Sequence, residues 1–356
     1  MRKIIVTLLV LACGSLGMTA ARADDKPKIC FIYAGSKTDG AWSQAHEQGR
    51  QALQEKFGDK IETTYLENIL EGPEAEGVIQ KQAASDCQMI FATSFGFMEP
   101  VLKVAADFPD VRFEYASGYK VSGNVATYTS RFYEGRYIAG QIAAKVSKSG
   151  VAGYVASFPI PEVIRGIDAF LLGARSVNPE FKLKVGWANA WFDPGVEADV
   201  TKALISEGAD VITQHTDSAA PMQVAEEMGV KAFGQASDMI SVGPHAQLSA
   251  IMDTWGAYYI RRVQAFLDGK WEAQRSWEGL ADGILTMAPY TNMPDDVKAM
   301  AEATEKKIKS GELKPFSGPI HKQDGSLWLP DGETADDRTL LGLNFLVQGV
   351  EGEMPH

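Results

Sequence analysis

From Lys28 onward, two kinds of segment alternate along the chain. Short runs of apolar, β-branched and aromatic residues are separated by longer stretches whose apolar positions recur at helical spacing. Lys28-Ile29-Cys30-Phe31-Ile32-Tyr33 predicts a first strand, and Ala41 to Phe57 predicts a helix after the loop Gly35 to Gly40. Ile61 to Leu66 and Cys87 to Thr93 predict two further strands, with helices over Glu74 to Ser85 and Met98 to Phe108. Val111 to Tyr115 and Asn124 to Tyr128 complete a first set. Strands alternating with helices of this length indicate a parallel sheet covered on both faces.

After the turn Lys148-Ser149-Gly150 the pattern restarts. Strands are expected over Val151 to Ser157, Leu183 to Ala188, Asp210 to Gln214 and Lys231 to Gly234. Helices are expected over Pro161 to Val177, Gly195 to Glu207 and Ala220 to Met228. Neither set has a Gly-x-Gly-x-x-Gly turn after its first strand, which argues against dinucleotide binding. Gln247 to Met252 predicts one more strand, and Trp255 to Leu267 a helix closed by Asp268-Gly269-Lys270. The rhythm then breaks. Gly318 to Leu329 reads as a hairpin turning at Gln323-Asp324-Gly325, and Asp336 to Leu346 as a short last helix. The pattern implies an α/β protein of two similar lobes joined by several crossovers. The expected division is a leader of residues 1–23, a first lobe of 24–127 with roughly 254–285, and a second of 128–253 with roughly 286–356.

The N-terminus bears on the compartment. Met1-Arg2-Lys3 is basic, Ile4 to Cys13 is apolar apart from Thr7, and small residues lead to Ala21-Arg22-Ala23. That order describes a secretory signal peptide cleaved after Ala23. The apolar run is too short to span a bilayer, which takes roughly 20 residues. Leu11-Ala12-Cys13 also resembles a lipoprotein cleavage box, so lipid anchoring at Cys13 is the alternative. A mature chain of about 330 residues suits two domains. The formal net charge of −12 argues against a nucleic-acid-binding surface. The mature chain keeps Cys30 and Cys87, in neighbouring strand-like segments. A disulfide is permitted in an oxidising compartment, but two buried free thiols are the expectation, because bridging neighbouring strands strains the bond. Two cysteines and five scattered histidines offer no metal-ligand spacing.

Ligands of open parallel sheets bind beyond the carboxyl ends of the strands. In two facing lobes those ends converge on one cleft. The loops there are rich in aromatic and small polar residues, as a flat, mostly apolar ligand requires. Trp42 and Trp191 occupy matching places, each after a strand and before a helix, one in each lobe. They are placed to stack on opposite faces of a planar ring; the alternative is that each packs its loop against its own helix. Ser94, Phe95 and Gly96 follow the third strand, with only one of Phe95 and Phe97 facing the cleft, and Tyr33 ends the first strand with a hydroxyl to offer. Asp217 and Asp238 follow successive strands of the second lobe, as ligand acceptors or as helix caps. Asp253, Glu114 and Arg131 are weaker candidates. Catalysis finds little support: Gly-x-Ser-x-Gly and Walker-type loops are absent, and His215 has no evident nucleophile partner.

These residues also carry a family resemblance. Asn124-Val125 is followed by Glu134-Gly135-Arg136-Tyr137-Ile138-Ala139-Gly140, then by Trp191-Phe192-Asp193-Pro194 before a helix. Glu207-Gly208-Ala209-Asp210-Val211-Ile212, Gly229-Val230-Lys231-Ala232-Phe233-Gly234 and the tail Gly349-Val350-Glu351-Gly352 with Pro355 complete it. Over nearly the whole mature chain this resembles the basic membrane protein family of ABC-transporter substrate-binding proteins, of the purine-nucleoside-receptor type. The resemblance implies a type I periplasmic-binding-protein fold, with two Rossmann-like lobes around a central cleft and a nucleoside held between two aromatics. Those aromatics fall on Trp42 and Trp191.

Three positions depart from the family. Its Asp near the end of strand one is Tyr33, the first acid of its Gly-Val-Asp-Ser-Asp is Ala236, and its Lys after the next strand is Asp253. The last two belong to the ribose end of the pocket in the family. A polar group left without its partner costs roughly 1–3 kcal/mol, so a site without ribose-holding groups favours a free base such as adenine. The expected function is therefore a periplasmic receptor for a purine base or nucleoside. It needs no cofactor and no metal, binds no nucleic acid, works as a monomer and hands its ligand to an inner-membrane ABC permease. The rivals are a sugar receptor, a nucleoside hydrolase-like enzyme and a sensory module reporting to a membrane partner.

Overall fold

The apolar runs fold as strands because helices cover both faces of each sheet, so nearly every residue of a central strand is buried. A computed structural model describes residues 26–355. The expected signal segment, its cleavage site and the Cys13 alternative lie outside the described residues.

The chain begins β1 (Lys28–Ile32), α1 (Trp42–Phe57), β2 (Glu62–Leu66), α2 (Pro73–Ala84), β3 (Cys87–Ala92), α3 (Met98–Asp107), β4 (Arg112–Ala116) and β5 (Val125–Ser130). It continues with α4 (Phe132–Val146), β6 (Val151–Ala156), α5 (Pro161–Arg175), β7 (Lys182–Trp187), α6 (Pro194–Ser206) and β8 (Val211–His215). Then come α7 (Ala220–Met228), β9 (Lys231–Ala236), β10 (Gln247–Asp253), α8 (Gly256–Leu267) and β11 (Arg275–Glu278). The last elements are β12 (Leu285–Met287), α9 (Asp295–Lys309), β13 (Ile320–His321), β14 (Leu327–Leu329), α10 (Asp337–Leu341) and β15 (Val350–Glu351).

Two sheets result. The six-stranded one has the order β11-β5-β4-β3-β1-β2 and is parallel throughout. The seven-stranded one has the order β12-β10-β9-β8-β6-β7-β15, with β12 antiparallel on its edge. The chain passes between the sheets after β5, after β10 and between β11 and β12. β5 continues to Ser130, so the first passage falls there and not at residue 127.

Close helix packing underlies the second sheet. An added Cβ at Gly140 of α4 would lie 1.9 Å from the Phe170 carbonyl oxygen, and one at Gly173 of α5 would lie 2.0 Å from that of Tyr137. Only glycine lets these two helices approach so near, which explains part of the Arg136-to-Gly140 stretch. In the first sheet, Glu114 is fully buried and accepts from Arg262, from the Tyr258 hydroxyl at 2.7 Å and from the Trp271 indole at 2.7 Å. Arg131 bonds Asp337 at 2.6 and 2.8 Å. Both residues thus tie elements of the fold together, and neither lines the cleft between the sheets.

Cys30 and Cys87 form a disulfide, against the expectation of free thiols. The β1–β3 register shifts between Lys28 and Ile29, and the two Cα atoms come to 6.0 Å, inside the bridging range. The bridge closes a long loop of the unfolded chain. Replacing both cysteines with alanine should therefore lower stability by about 2–4 kcal/mol. Chemical denaturation, with the wild type under thiol reductant as companion, measures this; coincident curves would refute it.

Candidate ligand-binding site

The carboxyl ends of the strands in both sheets open onto one cleft of about 270 Å³. The first lobe contributes Ala34, Gly35 and Trp42 after β1, Ile69, Leu70 and Glu71 after β2, Ser94 and Phe95 after β3, and Ser117 after β4. The second contributes Phe158, Ile160 and Glu162 after β6, Trp191 and Phe192 after β7, His215 and Asp217 at and after β8, and Gln235 of β9. The lobes touch beside this space: the Ser237 hydroxyl donates to the Gly40 carbonyl, and Ala41 is buried among Val155, Leu204 and Met222.

Local chemistry fixes the two indoles. Asp39 accepts from the N–H groups of Ala41, Ser43 and Gln44 at 2.9, 2.8 and 3.1 Å, satisfying the free donors at the start of α1. This holds Trp42, the first residue of that helix. Its indole N–H donates to the Thr93 carbonyl at 2.7 Å, and its ring meets His46 edge-on at 4.5 Å. His46 lies flat on Trp255 at 5.0 Å, and burial holds its imidazole well below the usual histidine range, hence neutral. On the opposite lobe, Asp193 accepts from Val196 N–H at 3.1 Å and Pro194 opens α6, a capped start that sets the preceding turn. The Trp191 carbonyl accepts from Asp217 N–H at 2.8 Å, and its ring meets Phe158 at 5.2 Å.

The polar lining is acidic. Glu71, Glu162 and Asp217 face the cleft, and no Lys or Arg does among the described residues. One oxygen of Glu71 accepts from Ser94 and from Gly96 N–H at 3.0 Å. Burial raises the Glu162 carboxyl, and raises Asp217 well above the carboxylate range with help from Asp39 and Glu197. Burial, with Arg136 and Arg165 nearby, holds His215 well below its usual range.

Of the residues singled out in the sequence, Trp42, Trp191, Ser94, Phe95 and Asp217 line the cleft. Four do not. Tyr33 is buried beneath the first sheet and donates to Glu47 at 2.9 Å, because in a strand it shares the face of Phe31. The Gly96 N–H is turned to Glu71. Asp238 is exposed and accepts from Ile240 N–H at 3.0 Å and Gln247 Nε2 at 2.7 Å, a local turn bond. Asp253 lies behind the wall, 4% exposed, with neither oxygen hydrogen-bonded. Phe158, Phe192, His215 and Gln235 stand in strand-end loops the sequence pattern marks, but nothing ranks them there. Glu71 lies past β2, outside those loops, and Glu162 reads as an ordinary first-turn acid of α5.

Two doubly covered parallel sheets around an aromatic cleft are the architecture of the type I periplasmic-binding-protein fold class. The chain belongs to the Bmp family, ABC transporter substrate-binding proteins that are PnrA-like, whose family model matches residues 26–320. It is a substrate-binding protein, not an enzyme. It is 58% identical over 336 residues to a purine-binding protein of Brucella abortus, covering 94% of this chain and 96% of that one. It is 39% identical over 326 residues to a putative ABC transporter glucose-binding protein of Haloferax volcanii, covering 91% of this chain and 80% of that one. In fold it resembles an ABC transporter solute-binding protein of Aeropyrum pernix, with a TM-score of 0.71 at 17% identity over 81% of this chain and 92% of that one. Among the described residues no helix is long and apolar enough to cross a membrane, and no cluster of His, Cys, Asp and Glu is suited to a metal.

Asp253 sets a pH dependence. Burial, reinforced by Glu162, raises its carboxyl to about 8, against the opposing pull of Ser130 and Arg136. The unfolded chain loses this proton near pH 4, so the folded state binds more protons between roughly pH 4 and 8. Its contribution to stability is therefore intact at low pH and is lost as pH rises through that window. Asp253→Asn keeps the neutral form. Relative to wild type its melting temperature should rise between pH 5 and pH 8; a difference independent of pH would contradict the assignment.

Proposed function

We propose that this protein captures a purine base, adenine foremost, between Trp42 and Trp191 and delivers it to an inner-membrane ABC permease. The observation that carries the reading is the placement of two indoles, on opposite lobes, beside one mostly apolar cavity without a cationic side chain among the described residues. A flat, neutral heterocycle matches such walls, and a phosphate-bearing nucleotide does not. The identity to the Brucella purine-binding protein supports the class of ligand. Where nucleoside-binding members hold ribose, this chain has the apolar, buried Ala236, and an Asp253 set behind the cleft wall. A base without its sugar leaves no hydroxyl to satisfy there. Binding favours the closed form by stacking on both lobes at once, and the permease reads that form. The leader 1–23 directs export to the periplasm, where the mature chain acts as a monomer without cofactor.

A sugar is the second reading. Glu71, Glu162 and Asp217 supply acceptors for ring hydroxyls, indoles stack on sugar faces, and the Haloferax relative is a putative glucose-binding protein.

Isothermal titration with adenine, adenosine and glucose separates the two. Adenine should bind, adenosine more weakly, and glucose not at all. Trp42→Ala and Trp191→Ala should each weaken adenine binding by roughly 5- to 150-fold, the loss of one base–aromatic stack of about 1–3 kcal/mol. Glucose binding without adenine binding would replace this reading with the second.

A further inference from the structure

Gln235 stands at the end of β9, 2% exposed, with its side chain on the floor of the cleft. Its amide oxygen accepts from Nη2 of Arg136, and this is the only hydrogen bond its side chain makes among the described residues. A guanidinium has donors and no acceptor. The amide can therefore present only its oxygen to Arg136, and its NH₂ group is left for the cleft.

Arg136 is firmly held. It is fully buried, donates from Nη1 to Thr213 Oγ1 at 2.6 Å and from Nη2 to the Gln214 carbonyl. Its guanidinium carbon lies 4.9 Å from the Phe132 ring centre and 5.1 Å from that of Tyr154. Among the described residues no carboxylate forms a salt bridge with it, so its role there is not that of an ion-pair partner. The backbone just beyond Gln235 is also specialised. Ala236 has φ of 57°, a left-handed conformation that alanine rarely adopts and that persists only where the surroundings impose it. The floor beside Gln235 carries His215, 7% exposed with Nδ1 lacking a partner. A cleft whose polar lining includes Glu71, Glu162 and Asp217 thus has an amide donor of fixed polarity in its floor.

We propose that the Gln235 amide N–H donates to a ring nitrogen of the bound heterocycle, and that Arg136 is the positioning residue that fixes this donor. The inference rests on the purine reading and adds which chemical feature of the ring is recognised. A ring nitrogen at that position is preferred to a C–H of the same shape, because the C–H leaves the amide without an acceptor.

The test is titration calorimetry with adenine and with 1-, 3- and 7-deazaadenine, on wild type, Gln235→Leu and Arg136→Lys. One deaza analogue should bind wild type about tenfold or more weakly than adenine, as expected when a buried donor loses its acceptor. Gln235→Leu should lose a similar factor for adenine and no longer distinguish adenine from that analogue. Arg136→Lys should keep a cooperative melt yet discriminate less, a change of ratio that a purely structural role would not produce. The analogue series on wild type needs no variant, so misfolding of either variant leaves the test intact. If all three analogues bind wild type within about twofold of adenine, or Gln235→Leu still discriminates, the inference is overturned while the purine reading stands. If wild type binds no purine, both fall together.

Discussion

Parallel strands joined by crossover helices must all end at the same edge of their sheet. In this chain two such edges face each other, and every residue that lines the cleft follows or ends a strand. The arrangement places an indole on each wall. Each sits in a turn shaped locally by Asp39 at the start of α1 or by Asp193 and Pro194 at the start of α6. The loops are held by rigid neighbours: Trp42 through the Thr93 carbonyl, Trp191 through the backbone of Asp217.

The electrostatics follow from the same geometry. Strand ends pointing at one small space collect acids where water is scarce, and burial there favours the neutral form. Asp217 and Asp253 shift upward and His215 downward, all for this reason. The walls are less charged than their composition implies, which suits a neutral ring. Arg136 is a buried cation below the floor, and its hydrogen bonds to Thr213, Gln214 and Gln235 join the ends of β8 and β9.

Much of this was legible in the sequence. The strand–helix alternation locates two sheets and the loops at their carboxyl ends, and so locates Trp42 and Trp191. What the alternation does not carry is side-chain direction. Tyr33 and Asp238 lie within or just past strands whose parity decides whether they face the cleft, the core or solvent, and each faced away. The free-thiol expectation failed because the distance between two Cα atoms on adjacent strands, 6.0 Å here, cannot be read from one chain. Helix α9 was missed although Val297, Ala301, Thr304 and Ile308 are its buried stripe at helical spacing. Its acidic first turn and lysine-rich last turn also fit a helix dipole. The edge strands β11, β12 and β15 are two to four residues long, too short for a periodic signal.

The central claim is that a planar ring lies between the indoles of the two lobes. A crystal structure of the mature protein with adenine tests it most directly. The account predicts the base stacked between Trp42 and Trp191, with Gln235 within hydrogen-bonding distance of a ring nitrogen. A base resting on Phe158 and Phe192 alone, or lying outside the cleft with the two indoles uncovered, would contradict it.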